Sequence, residues 1–135
     1  MLKLIIGLKG TGKTKAIIED ANKAVEKSRG SVICIEYGKK LTFDIKHQIR
    51  LIDCLDYDIR DGKQLYGFVG GLLAGNYDIT DLFIDSALKI CQDNLTDFEE
   101  FIITVDSLLV KNHINCVITA SMAKEQLSEK LVKLV

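Results

Sequence analysis

The sequence predicts a three-layer α/β fold, in which helices flank a parallel β-sheet of about five strands. Two observations support this prediction. Short apolar runs alternate with amphipathic helical segments along the chain, as in folds built from β-α-β units. The first apolar run is also followed directly by a glycine-rich turn and a helix. Because 135 residues with 47% apolar content suffice for one core, residues 1–135 are predicted to form one domain.

The chain opens with the clearest of these units. Residues 2–6 are predicted to form the first strand and residues 14–28 the first helix. Between them, the run G-L-K-G-T-G-K-T at 7–14 matches the phosphate-binding pattern G-x-x-x-x-G-K-[ST] at every position. Glycines let the N–H groups of such a loop turn inward around a phosphate, and the helix start adds about half a unit of positive charge. The segment therefore predicts a site for a phosphorylated ligand.

The side chains of this loop have separate expected roles. The Lys13 ammonium can reach the β- and γ-phosphates as a catalytic cation, and the Thr14 hydroxyl can bind Mg²⁺. Asp85 follows the apolar residues 82–84 at the end of a predicted central strand, which makes it the second expected Mg²⁺ ligand. The alternative for Asp85 is a helix cap. The other predicted nucleotide contacts in the loop are Gly7, Lys9, Gly10, Thr11 and Gly12.

The remaining elements follow from periodicity and from turn residues. Further strands are predicted at 31–36, 49–55, 81–85 and 114–119. Further helices are predicted at 42–47 with Thr42 as a cap, at 61–75, from a Thr96–Glu99 capping box onward, and as short turns within 121–135. Gly67, Gly70 and Gly71 predict the close approach of a neighbouring backbone, from this chain or from another subunit.

The chain resembles the P-loop NTPase superfamily, and within it the RecA-like branch. The segments that carry the resemblance are the loop at 7–14, I-D-S at 84–86 and V-I-T-A-S at 117–121. The resemblance implies a parallel sheet in which the 114–119 strand lies between the strand that precedes the loop and the strand that ends at the acid. In that order the 2–6 strand lies at or near the side of the sheet. Because an exposed edge strand can pair with another chain, we expect the tail 131–135 or a second subunit to cover it.

The chain departs from the pattern of this superfamily after its acid. Ser86 follows Asp85 where many ATPases carry a glutamate that orients the attacking water. Glu36, at the end of the second strand, is the substitute candidate for a catalytic base, and an exposed strand-end carboxylate is the equal alternative. Thr119 or Ser121 is the candidate sensor of the γ-phosphate, with an ordinary helix cap as the alternative for Ser121.

Extra cations for the phosphates have only weak candidates. Lys9, Arg50 and Arg60 could contact phosphate or act as an arginine finger towards a second subunit, and solvated surface charge is the alternative for each.

Three functions are compatible with these residues. The first is an ATP-binding protein with weak Mg²⁺-dependent ATPase activity that acts as a nucleotide switch or a small motor subunit. The second is a small-molecule phosphotransferase with an acceptor site in 37–63, and the third is a module that binds nucleotide without hydrolysis. ATP is favoured over GTP because no N-K-x-D motif is present. An unknown protein partner or self-association is expected to raise the rate.

Composition argues against several other classes. There is no basic run interleaved with aromatic residues, so nucleic acid is not an indicated partner. No apolar run reaches the roughly 18 residues that span a bilayer. The four cysteines share no metal-binding spacing and three lie in or at the end of apolar runs, which predicts buried reduced thiols and a cytoplasmic protein.

Overall fold

The computed structural model describes all residues 1–135 and confirms the α/β fold with five parallel strands. The strands are β1 (Leu2–Gly7), β2 (Ser31–Glu36), β3 (Arg50–Asp53), β4 (Ile79–Ile84) and β5 (Asn115–Ser121). The helices are α1 (Lys13–Lys27), α2 (Gly62–Gly75), α3 (Ala87–Ile90), α4 (Leu95–Lys111) and α5 (Glu129–Val132). Short 3-10 turns lie at Cys54–Tyr57 and Lys124–Gln126, and none of the helices is long and apolar enough to cross a bilayer.

The strands lie in the order β1-β5-β4-β2-β3, and every neighbouring pair is parallel. This order places β5 between β1 and β4, which is the arrangement that the RecA-like resemblance implies. The register pairs Gly7 with Ser121, Ile84 with Ile118, and Ile84 with Ile35. Because the strands run in one direction, their carboxyl ends meet at one edge of the sheet, and the glycine-rich loop lies at that edge.

Alternation along β2 shows how the sheet separates two apolar layers. Ile33 and Ile35 belong to the larger core, which contains residues of α2, α3 and α4, whereas Val32 and Cys34 belong to a smaller core with α1. Successive side chains of a strand point to opposite faces, so a continuous apolar run such as V-I-C-I requires cover on both faces. The predicted three-layer arrangement therefore follows from burial on both sides of the sheet.

The outer edge of β1 is covered by the C-terminal tail. The Leu4 N–H donates a 2.7 Å hydrogen bond to the Leu134 carbonyl oxygen, and Leu131 is buried in the larger core. The sequence predicts that either the tail or a second subunit covers this edge, and within this chain the tail covers it. Capping an edge strand in this way reduces its tendency to pair with another chain.

Two elements next to β3 differ from their predictions. Residues 42–47 form turns and not a helix, because the Asn22 side chain on α1 accepts from the Lys46 N–H and donates to the Asp44 carbonyl oxygen. The predicted strand 49–55 is shorter, because the Asp53 carboxylate accepts from the Leu55 N–H and begins the 3-10 turn. Local side-chain bonds to the backbone thus replace regular structure on either side of β3.

The predicted capping box at Thr96 and Glu99 is wrong. The helix α4 begins two residues earlier, with Asn94 as its N-cap and its side-chain oxygen 3.0 Å from the Asp97 N–H. The Asp97 carboxylate in turn accepts from the Gly62 N–H at 2.8 Å and joins the start of α2 to α4.

The predicted close approach at the glycines of α2 is also wrong within this chain. A methyl group added at Gly67, Gly70 or Gly71 would meet no atom within 4 Å. The close approach occurs instead at Gly30, where an added methyl group would overlap the Asp78 carbonyl oxygen.

Candidate phosphate-binding site

The loop between β1 and α1 is shaped by three glycines. Gly10 and Gly12 adopt φ values of 84° and 86°, a left-handed conformation that glycine adopts without steric cost. At Gly7, an added Cβ would lie 2.5 Å from the Thr11 hydroxyl oxygen, which itself donates to the Leu8 carbonyl oxygen at 2.7 Å. Each glycine of the motif therefore has a conformational or steric requirement in this loop.

Lys13 is the first residue of α1 and is buried, although its side chain is charged. Its Nζ atom donates to the Leu8 carbonyl oxygen at 2.9 Å, so the ammonium group lies across the loop. A buried ammonium with one neutral partner retains unused donors. A phosphate bound over the loop would supply oxygen atoms for those donors.

Thr14 and Asp85 meet at the centre of the site, although 71 residues separate them in the sequence. The Thr14 hydroxyl lies 3.5 Å and 3.4 Å from Oδ1 and Oδ2 of Asp85. Asp85 is buried, and its N–H donates to the Ile35 carbonyl oxygen at 2.9 Å, which continues the pairing of β4 with β2 beyond the strand. The structure thus brings together the two residues that the sequence predicts as metal ligands.

The Thr14 and Asp85 oxygens suit Mg²⁺. This ion takes oxygen ligands at about 2.0–2.1 Å, keeps several waters and uses one or two protein groups together with substrate phosphates. A hydroxyl and a carboxylate within 3.5 Å of each other fit such a partial ligand set. No group of three or more His, Cys, Asp or Glu side chains is placed to hold a metal.

Thr119, on the neighbouring strand β5, holds the Asp85 carboxylate in place. Its hydroxyl donates to Oδ1 of Asp85 at 2.6 Å and accepts from the Ser86 N–H at 2.8 Å. Ser86 adopts a left-handed conformation with φ of 63°, so the chain turns sharply after the acid. Thr119 therefore contacts the predicted metal ligand, a role that the sequence did not indicate.

A cavity of about 430 Å³ opens over these residues at the carboxyl edge of the sheet. Its lining includes Lys9 and Ser121, both predicted as nucleotide contacts. Its five cations are Lys9, Lys13, Lys15, Lys40 and Lys89. Its two acids are Asp85 and Asp93. The excess of positive charge suits an anionic ligand.

Glu36, the predicted base, lies under the loop that follows β2 and does not line the cavity. Its side chain is buried, and Oε1 accepts from the Lys40 N–H at 2.8 Å and from the Leu41 N–H at 3.0 Å. The alternative prediction for Glu36, an exposed carboxylate at the end of the strand, is therefore wrong. Its role as a base stays a prediction.

Neither candidate arginine reaches the cavity within this chain. Arg50 begins β3, so it lies at the amino edge of the sheet, away from the loop. The Arg60 guanidinium lies 3.4 Å from the Asp58 carboxylate, and both side chains are exposed. The cations of the cavity that sequence reasoning missed are Lys15, Lys40 and Lys89. The sequence indicates a place for Lys40 in the cavity only through its position just after β2, at the edge where all the strands end.

All four cysteines are free and buried, as predicted. Burial raises the pKa of Cys54 to about 11 and that of Cys91 to about 12, and it raises the pKa of Cys34 and Cys116 as well. These groups therefore stay protonated at neutral pH and are unsuited to metal binding or nucleophilic attack.

The sequence matches no protein-family model and no curated protein. Among solved structures, the chain is similar to the flagellar accessory protein FlaH from Methanocaldococcus jannaschii, with a TM-score of 0.63 and 17% sequence identity. The alignment covers 98% of this chain and 65% of FlaH, so the chain spans less than two thirds of that protein. At this identity the likeness shows the fold alone.

Proposed function

We propose that the chain binds ATP together with Mg²⁺ in the cavity over the glycine-rich loop and hydrolyses it slowly. The observation that carries this proposal is the 3.4–3.5 Å approach of the Thr14 hydroxyl to the Asp85 carboxylate beside the loop. When bound, Mg²⁺ would neutralise charge on the last two phosphates. Thr14 and Asp85 would hold the ion, and Lys13 would contact the same phosphates.

The remaining loop atoms would orient the phosphates. Gly10 and Gly12, in their left-handed conformations, leave the backbone of the loop open towards the cavity, where no Cβ hinders a phosphate. Lys9, in the loop after β1, and Ser121, at the end of β5, line the same space. Positioning together with fixed positive charge is the main means by which such loops promote phosphoryl transfer.

Slow hydrolysis follows from the groups around the acid. Ser86 stands where a water-orienting carboxylate would be expected, and no arginine lines the cavity. We therefore propose a nucleotide switch or a small motor subunit in the cytoplasm, with a protein partner or self-association that raises the rate. ATP is proposed over GTP because the guanine motif N-K-x-D is absent.

Ser86 also supports a second candidate, a module that binds nucleotide without hydrolysis. The phosphotransferase alternative has less support. The segment 37–63 contributes only Lys40 to the cavity, and its Arg60 is paired with Asp58 at the surface.

A nucleotide-binding assay tests the proposal directly. We expect ATP with Mg²⁺ to raise the melting temperature of the protein, and Lys13→Ala to abolish the increase without unfolding the protein. Lys63→Ala is the matched control, because Lys63 is an exposed lysine on α2 outside the cavity. A phosphate-release assay then distinguishes a slow ATPase from a module that binds nucleotide without hydrolysing it. An equal melting shift in parent and Lys13→Ala would overturn the proposed site.

A further inference from the structure

We infer that Lys40 and Lys89 form a cation pair within the chain that recognises the terminal phosphate and makes the site prefer a nucleoside triphosphate over a diphosphate. In this scheme Glu36 is a positioning residue for Lys40. The inference rests on the proposed nucleotide binding, and it assigns a role to two lysines that the loop motif does not include. Both lysines line the cavity, and neither forms an ion pair.

The loop after β2 is held by two buried carboxylates. Oε1 of Glu36 accepts from the N–H groups of Lys40 and Leu41, and Oδ1 of Asp53 accepts from the Gly38 N–H at 2.8 Å. Gly38 has φ of 83°, which reverses the chain between these two anchors. Three hydrogen bonds to carboxylates thus fix the backbone from which the Lys40 side chain extends.

This loop gives its two adjacent lysines opposite environments. The Lys39 ammonium lies 2.8 Å from the Asp56 carboxylate and 3.5 Å from that of Asp53, so its charge is neutralised outside the cavity. Lys40 has no carboxylate partner and lines the cavity. Removing the cation that lines the cavity lowers the attraction for a bound anion far more than removing Lys39, which is exposed to solvent outside the cavity.

Lys89 enters the cavity from α3. Its Nζ atom lies 5.1 Å from the centre of the Tyr37 ring, and Tyr37 precedes the loop that carries Lys40. The aromatic face holds the ammonium near the cavity without neutralising it. Tyr37 thus links the two segments that supply the lysines.

The order of the strands and the contact between Lys89 and Tyr37 would place both lysines near the terminal phosphate. When bound, Mg²⁺ would neutralise charge on the phosphates of the nucleotide, and the Thr14 and Asp85 oxygens would hold the ion. The segment that follows β2 lies on the side of Asp85 away from β1, because β2 is separated from β1 by β4 and β5. Lys40 belongs to that segment, and the Lys89 Nζ atom lies against the Tyr37 ring at its start, whereas Lys9 belongs to the loop after β1. The terminal phosphate would therefore meet Lys40 and Lys89, and a diphosphate would leave them without a partner.

Calorimetric titration with ADP and with a non-hydrolysable ATP analogue, both with Mg²⁺, tests the inference. We expect the double variant Lys40→Ala/Lys89→Ala to lose about 10-fold or more in analogue affinity, the size typical of lost hydrogen bonds to charged groups. Its ADP affinity should change far less. Lys39→Ala, the matched control from the same loop, should change neither affinity.

Glu36 is tested by the same two titrations. Glu36→Ala should reproduce the selective loss of analogue affinity, whereas Glu36→Gln should retain the affinity because an amide oxygen still accepts from the two N–H groups. Equal losses for both nucleotides, or no loss in the double variant, would overturn the inference while the parent still binds. A parent that binds neither nucleotide would overturn the proposed function itself. If Glu36→Ala does not fold, the lysine variants still decide the inference.

Discussion

The Thr119 hydroxyl donates a 2.6 Å hydrogen bond to Oδ1 of Asp85 and accepts the N–H of Ser86, so one side chain on β5 holds both the acid and the turn after it. The contact crosses 34 residues of sequence and is possible because β5 lies next to β4. It directs the Asp85 carboxylate towards Thr14 at the carboxyl edge of the sheet. The geometry of the proposed metal site thus depends on a third strand.

Replacing Thr119 with valine should destabilise this arrangement. Thr119→Val keeps the shape of the side chain but leaves the Ser86 N–H and one Asp85 oxygen without their partner, which costs about 1–3 kcal/mol for a buried group. Thr119→Ser keeps the hydroxyl and should lose much less. Urea denaturation of the three proteins measures the difference. Equal stability of Thr119→Val and the parent would contradict the role assigned to this hydroxyl.

Glu36→Gln distinguishes the two roles considered for Glu36 when hydrolysis is measured. The amide oxygen can still accept the loop N–H groups, whereas an amide cannot take a proton from water. If Glu36 positions Lys40, we expect most of the slow hydrolysis to remain. A general base contributes about 10²–10⁴ in rate. A loss of that size in single-turnover assays would instead assign Glu36 as the base.

Hydrolysis by the purified chain should be slow and should depend on its concentration if self-association completes the site. An arginine supplied from another subunit can contribute about 10³–10⁵ in rate, and no arginine lines the cavity of one chain. Phosphate release across a range of protein concentrations measures this dependence. Fast hydrolysis with a rate per chain that is the same at every concentration would refute this expectation.

Asp53 should make the stability of the fold sensitive to acid. Burial raises the pKa of Asp53, but N–H donors from Leu55 and Gly38 and the Lys39 ammonium together lower it below its usual value. A lowered pKa in the folded protein stabilises it above the unfolded value of about 3.9, and this contribution is lost as pH falls through the folded pKa.

Comparison with Asp53→Asn isolates this contribution. The parent should exceed the variant in free energy of unfolding near neutral pH, and the difference should shrink as the solution is acidified through the folded pKa. Urea titrations at several pH values provide the comparison. A difference that stays constant into strong acid would mean that the Asp53 charge adds nothing to stability.

The sequence predicts the strands and the loop well because both depend on short-range patterns. The β2 run S-V-I-C-I-E is apolar on both faces, and the loop motif places Lys13 and Thr14 at a helix start whatever the rest of the chain does. The family resemblance implied the order of the sheet, and the structure confirms that β5 lies between β1 and β4.

The missed features depend on contacts between distant residues. Asn94, and not Thr96, caps α4. The Asp97 carboxylate in the first turn of this helix also accepts a hydrogen bond from the Gly62 N–H at the start of α2. The local sequence of residues 42–47 predicts a helix, but hydrogen bonds with the Asn22 side chain on α1 hold these residues as turns. Such bonds leave no trace in local periodicity.

Calorimetric titration of Asp85→Asn with ATP tests whether Thr14 and Asp85 hold Mg²⁺ beside the bound nucleotide. ATP binding by the parent should weaken strongly when Mg²⁺ is chelated. Asp85→Asn, whose amide oxygen can still accept from Thr119, should bind ATP weakly with Mg²⁺ and much like the parent without it. Equal loss of affinity in both conditions would contradict the metal role of Asp85. ATP binding by the parent that is the same with and without Mg²⁺ would contradict the proposed metal site.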